Sequence, residues 1–339
     1  VKRMNKNYNL ELIRTVSFVM VVIIHVTNYF CRAYVDISRG EYLFSVILDT
    51  VSRVSVPCFF MLSGVLLLGR TEPLYKNAKR LLRFLIVLVF WSIVYYFFNV
   101  YYMGTSYDLR DLFYVPVESH LWYLYAVVPI YLVLPFFQVM CRGMNSNMDK
   151  AFLVVGAAAS MFTYFSSFLH AEPYYDIPII GDRVYAVYFF LGYILSKYKE
   201  KLKGHAHSLL GIFLGSTALN IVITVWVTYR IGDHYERFLE YGSPLVMISG
   251  ISFFCLMMQA GNGEVRLKEQ TKKWIDIWCG CSFGIYLIHI LFLDHYKKYV
   301  EPDQVSAWIA VPGLTIGILG ISFVCVYLIR RLPFGTYIS

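Results

Sequence analysis

Ten apolar stretches, most of them long enough to cross a bilayer, constrain this chain more than any other feature. A membrane helix needs about 20 mostly apolar residues at 1.5 Å per residue. Such stretches lie at roughly 10–30, 43–68, 84–103, 120–140, 151–169, 184–197, 207–228, 243–260, 275–296 and 306–329. The sixth is short, and the region from Ala171 to Arg183 is the least defined boundary. With 58% hydrophobic and 15% charged residues, the 339-residue chain has too little charge to cover a soluble domain of its size. No internal repeat, low-complexity run or linker divides it. Residues 1–339 are therefore read as one all-α domain, a polytopic membrane bundle of about ten helices. The first apolar run is too long for a signal-peptide core and lacks a small-residue cleavage site, so it is expected to stay in the mature protein.

The net charge of +8 raises nucleic acid as a partner until the charges are located. Starting the chain inside and letting it alternate places 20 of the 30 Lys and Arg in the inner segments. Eight fall outside, and Arg14 and Arg53 fall within spans. This asymmetry is the positive-inside pattern, which puts both termini in the cytoplasm and accounts for the charge without nucleic acid. The inner charges serve topology. Alternatively some of them, above all KNAKRLLR at 76–83, bind the phosphates of a cytoplasmic ligand. The seven cysteines lie mostly inside apolar runs and form no CxxC pair, so they read as buried fillers, with no metal site expected.

Ionisable residues within spans are costly, and each is a functional candidate. Helical rise places His25 roughly 22 Å from the inner end of the first span, Arg53 roughly 22 Å into the second and His289 roughly 21 Å into the ninth. His120 and Trp122 open the fourth span from the outer side, so several helices bring polar groups to one depth. His25 is a natural general base for a hydroxyl; the other reading is a neutral imidazole bonded between helices. Arg14 lies roughly 16.5 Å below His25, too far to touch it, and is expected to serve another part of one reaction path. Glu11 is spaced to pair with Arg14 on one helix face. Arg53, in SRVSVPCFFMLSG, is expected to take its acceptor from another helix or from a ligand, and Pro57 and Gly64 suggest a kinked or closely packed helix. The aromatic residues of SHLWYLY form either an interfacial belt or a stacking surface for a sugar or lipid head group. His289 is either structural or part of the site. His170, His205, His207, His234 and His295 lie in loops or at ends and are assigned nothing.

Arg14 and His25 bracket ten residues, an R-x10-H motif that resembles the first-helix signature of the acyltransferase-3 family of membrane O-acyltransferases. SRVSVPCFFMLSGVLLLG at 52–69, HLWYLYAVVPIYLVLPFFQV at 120–139 and CSFGIYLIH at 281–289 resemble further family blocks in the same order. The resemblance extends over essentially the whole chain. Among the family's branches the wording is closest to the enterobacterial common antigen O-acetyltransferase.

That resemblance implies transfer of an acyl group, usually acetyl, from cytoplasmic acyl-CoA to a hydroxyl of an envelope glycan or lipid-linked saccharide. It implies His25 as the catalytic residue and Arg14 as required for handling the acyl donor. Glu11 stands where the family commonly has Asp. An inner R-x3-R pair associated with the donor is met here by Lys79 and Arg83, with Arg80 adjacent; the lysine loses the bidentate fork of arginine. Arg53 is expected to stabilise the oxyanion or hold the acceptor, with His120, Trp122, Tyr123, Tyr286 and His289 in supporting positions. A direct attack by the hydroxyl and a covalent acyl-histidine route both stay open. No cofactor is expected to be bound permanently; acetyl-CoA is a co-substrate. The partners that follow are acyl-CoA, the saccharide acceptor, membrane lipids and, left open, a second copy in a homo-oligomer, all at a bacterial cytoplasmic membrane. The rival class is a transporter or flippase for a small polar solute such as serine, against which the missing repeat counts.

Overall fold

The computed structural model describes residues 7–169, 184–259 and 268–339. Among the described residues the regular structure is helical, without strands. In chain order the helices are α1 (Tyr8–Arg32), α2 (Arg39–Ser52), α3 (Ser55–Leu67), α4 (Leu74–Phe97), α5 (Trp122–Gly143) and α6 (Ser146–Phe168). There follow α7 (Tyr185–Lys197), α8 (Ala206–Ile231), α9 (Pro244–Gln259), α10 (Glu269–Lys297), α11 (Ala307–Ile329) and the short α12 (Gly335–Ile338). Every expected apolar stretch coincides with helix. Nine segments among the described residues are long and apolar enough to cross a membrane, not ten, because α7 has only 13 residues. Its rise of roughly 20 Å falls short of a hydrocarbon core of about 30 Å. The uncertain boundary from Ala171 to Arg183 lies outside the described residues, as do His170, Lys2, Arg3, Lys6 and Arg266.

Local sequence explains where these helices begin. The Asn7 side chain accepts from the Asn9 amide and caps α1. Ser38 and Glu41 form a reciprocal capping box on α2. The second apolar stretch is one span in composition but two helices in fact, broken at Arg53 and Val54. Pro57 falls in the first turn of α3, where its missing N–H has no helical partner to lose.

Two glycines allow a close helix crossing. A Cβ at Gly64 of α3 would lie 1.8 Å from the Phe189 carbonyl oxygen of α7, and one at Gly192 would lie 2.0 Å from the Met61 carbonyl oxygen. Two backbones thus cross at a distance that side chains forbid, which seats the short α7 against α3. α1 runs through the middle. Ile13 and Val21 belong to an apolar cluster built with α3, α5, α7 and α9, while Phe18, Val22, Val26 and Phe30 belong to one built with α4, α10 and α11. Thr15 meets Cys279 and His25 meets His289, the same offset of 264 residues each time, so α1 and α10 lie parallel. Parallel first and ninth stretches are what strict alternation of all ten stretches requires, so the short α7 counts as one pass of the chain. Six of the seven cysteines are buried.

Candidate functional site

A cavity of about 500 Å³ lies along α1. Arg14, Val21, His25, Asn28 and Arg32 all line it, a stripe produced by steps of seven, four, three and four residues. The eleven-residue step from Arg14 to His25 is close to three helical turns, so both side chains face the same space at different depths. Cys279, Ser63 and Phe84 line the cavity with Arg14, at the end where α1 begins. Arg53, Trp122, Tyr123 and Tyr286 surround its middle, and Glu118, Glu236, Asp294 and Lys297 line the rest.

The three histidines expected at one depth are neighbours. The His25 ring centroid lies 5.1 Å from that of His289 and 6.4 Å from that of His120, and the latter two are 5.5 Å apart. His120 Nε2 lies 3.3 Å from the Leu287 carbonyl, and His289 Nδ1 lies 2.7 Å from the Tyr286 carbonyl. A carbonyl only accepts, so each of these nitrogens carries the proton and donates. The opposite nitrogens, His120 Nδ1 and His289 Nε2, are buried without a partner. The Tyr286 hydroxyl donates to the His120 carbonyl, which ties the start of α5 to α10. His120 lines the cavity, whereas His289 is fully buried behind His25. Among the described residues no three His, Cys, Asp or Glu side chains converge as ligands for a metal ion.

Arg53 does not take its acceptor from another helix. Its Nε and Nη2 both donate to Asp49 Oδ2, at 3.0 and 2.8 Å, one turn earlier on α2. Asp49 is fully buried, and its other oxygen lies 3.3 Å from Thr27 Oγ1, two residues beyond His25. The i, i+4 spacing brings carboxylate and guanidinium together on one helix face, and the break after Ser52 leaves Arg53 at the cavity wall.

Glu11 and Arg14 form the expected pair at 2.9 Å. The Glu11 carbonyl also accepts from Thr15 Oγ1, whose oxygen lies 3.0 Å from Cys279 Sγ. Trp122 is flanked by Tyr185 and Tyr241, with centroids 5.0 and 5.6 Å away, which makes an aromatic wall on one side of the cavity. The inner basic cluster is not part of the cavity lining. Arg80 donates to Glu72 and Asn77, Arg83 donates to the Thr336 carbonyl of α12, and Lys79 is exposed. All three lie on α4 within five residues of Phe84, which does line the cavity. Arg80 beside Glu72 holds that carboxyl below its ordinary value.

Sequence reasoning missed Asp49 and the rim formed by Asn28, Arg32 and Glu236. Asn28 Nδ2 and Arg32 Nε both donate to Glu236 Oε1, at 3.2 and 2.8 Å. The helical spacing of Asn28 and Arg32 from His25 is the signal that could have found them; nothing local marks Glu236.

A family model described as an acyltransferase domain, that of the acyltransferase-3 family, matches residues 7–327. Comparison with curated proteins and with solved structures gave no match.

Proposed function

Because the chain belongs to the acyltransferase-3 family and is a multi-helix membrane acyltransferase, we propose that it moves an acetyl group from acetyl-CoA to a hydroxyl of an envelope saccharide. The observation that carries this reading is one cavity holding Arg14, His25 and Arg53 on the path between its two ends. In this reading CoA phosphates stay at Lys79, Arg80 and Arg83, and the pantetheine arm passes Arg14 to bring the thioester to His25.

His25 accepts the proton of the acceptor hydroxyl as its oxygen attacks the thioester carbonyl. The carbon–oxygen bond forms, the carbonyl electron pair moves onto oxygen, and the Arg53 guanidinium faces that charge. Collapse expels the CoA thiolate, which takes the proton back from His25. The aromatic wall at Trp122 and Tyr241 suits the apolar face of a sugar, and the carboxylates of Glu118, Glu236 and Asp294 suit its hydroxyls. Direct transfer needs no acyl-enzyme. The acceptor branch suggested by the sequence, enterobacterial common antigen, is the first saccharide to try.

The test supplies purified protein in proteoliposomes with acyl-CoA of increasing chain length and a panel of lipid-linked saccharides. Release of CoA that depends on a saccharide, fastest with acetyl-CoA, supports the reading. Saturable movement of serine or a saccharide across the bilayer without CoA release replaces it with transport.

A further inference from the structure

His289 contributes something that the acyl-transfer reading does not use. Its Nδ1–H is committed to the Tyr286 carbonyl, so its Nε2 holds a lone pair, buried and without a partner. A buried acceptor with nothing to accept is rare in a folded protein and calls for a donor. Three rings with polar hydrogens touch His289: His25, His120 and Tyr286. The His120 N–H goes to the Leu287 carbonyl and the Tyr286 hydroxyl goes to the His120 carbonyl. His25 alone keeps an uncommitted N–H, since among the described residues its ring has contacts but no hydrogen bond. It is also the nearest of the three, at 5.1 Å between centroids. The rings stand at 55° to each other, and forming the bond calls for a turn of the half-buried His25 ring.

We propose that His289 is the positioning residue of the site: its Nε2 accepts the His25 N–H, which fixes the His25 tautomer and leaves the other His25 nitrogen unprotonated toward the cavity. This rests on His25 acting as the base. The logic is that of any oriented base, in which a third group holds the ring and selects the nitrogen that takes the substrate proton. Here the third group is a neutral imidazole whose own tautomer is set by a backbone carbonyl. His120 fits the part less well. It lies farther from His25, and it lines the cavity, where a substrate hydroxyl can satisfy its free nitrogen.

The test uses the full chain in lipid nanodiscs with ¹⁵N-labelled histidine, the His25 signals being identified by their loss in His25→Gln. The wild type is expected to show a single His25 tautomer, and His289→Leu a mixture of both. His289→Gln, which offers an acceptor oxygen but cannot titrate, is expected to keep the single tautomer. In turnover His289→Leu is expected to lower kcat about a hundredfold with KM for acetyl-CoA unchanged, while His289→Gln recovers most of it. A single tautomer persisting in His289→Leu overturns the proposal, as does equal loss of kcat in the two variants. Should His25→Gln itself retain full turnover, the base assignment fails, and the tautomer signals still decide whether His289 orients the ring.

Discussion

Arg53 donates two hydrogen bonds to a single oxygen of Asp49, at 3.0 and 2.8 Å, with the carboxylate fully buried and the guanidinium at the cavity wall. The pair sits at the break between α2 and α3, so it fixes where a positive charge enters the cavity. Removing one partner of a buried pair leaves an uncompensated charge, at a cost of about 3–5 kcal/mol. Asp49→Ala is therefore expected to lower thermal stability in detergent strongly. Asp49→Ala combined with Arg53→Met is expected to recover most of that stability and none of the turnover. Equal instability of the single and double variants contradicts this role.

The α3–α7 crossing depends on two missing side chains. Gly64→Ala and Gly192→Ala place a methyl within 2.0 Å of a carbonyl oxygen, so the helices must separate. Folded yield and melting temperature are expected to drop sharply in both. Gly211→Ala on the exposed face of α8 meets nothing within 4 Å and gains helix propensity of about 1 kcal/mol. It is expected to be neutral or slightly stabilising, which makes it the control.

The basic cluster on α4 divides by its contacts. Lys79 is exposed, so Lys79→Ala is expected to raise KM for the acyl donor about tenfold, as for loss of one charge-assisted bond, with the melting temperature unchanged. Arg80→Ala breaks the contacts with Glu72 and Asn77 and is expected to reduce stability as well. Michaelis constants and melting curves measured side by side separate the two.

The Glu72–Arg80 pair also sets an acid dependence. The folded-state pKa of Glu72 is depressed, first by its bond to Arg80. The stability it contributes is present above the unfolded carboxylate pKa and is lost as pH falls through the folded one. Glu72→Gln removes that term, so its melting temperature is expected to fall less than the wild type's between about pH 7 and pH 3. Parallel curves for the two proteins contradict the assignment.

Much of this was legible in the sequence, for physical reasons. The eleven-residue step from Arg14 to His25 fixes a shared helix face, and helical rise alone put His25, Arg53 and His289 at one depth. Pro57 and Gly64 marked the irregular second stretch, although they did not show that it is two helices. Asp49 was equally legible at i, i+4 from Arg53, and the expectation of a partner on another helix overlooked it. The contact of Glu236 with Asn28 and Arg32 was not legible, since it joins residues over 200 positions apart that no periodicity relates. The same holds for the free nitrogens of His120 and His289, which follow from which carbonyl each ring meets.

The central claim is that His25 takes the proton of the acceptor hydroxyl during acyl transfer. It is tested most directly by single-turnover transfer of labelled acetyl from acetyl-CoA to a saccharide acceptor in proteoliposomes, comparing wild type with His25→Ala. The account predicts that the variant binds acetyl-CoA normally and loses at least about a hundredfold in the transfer rate. Transfer at the wild-type rate in His25→Ala contradicts it.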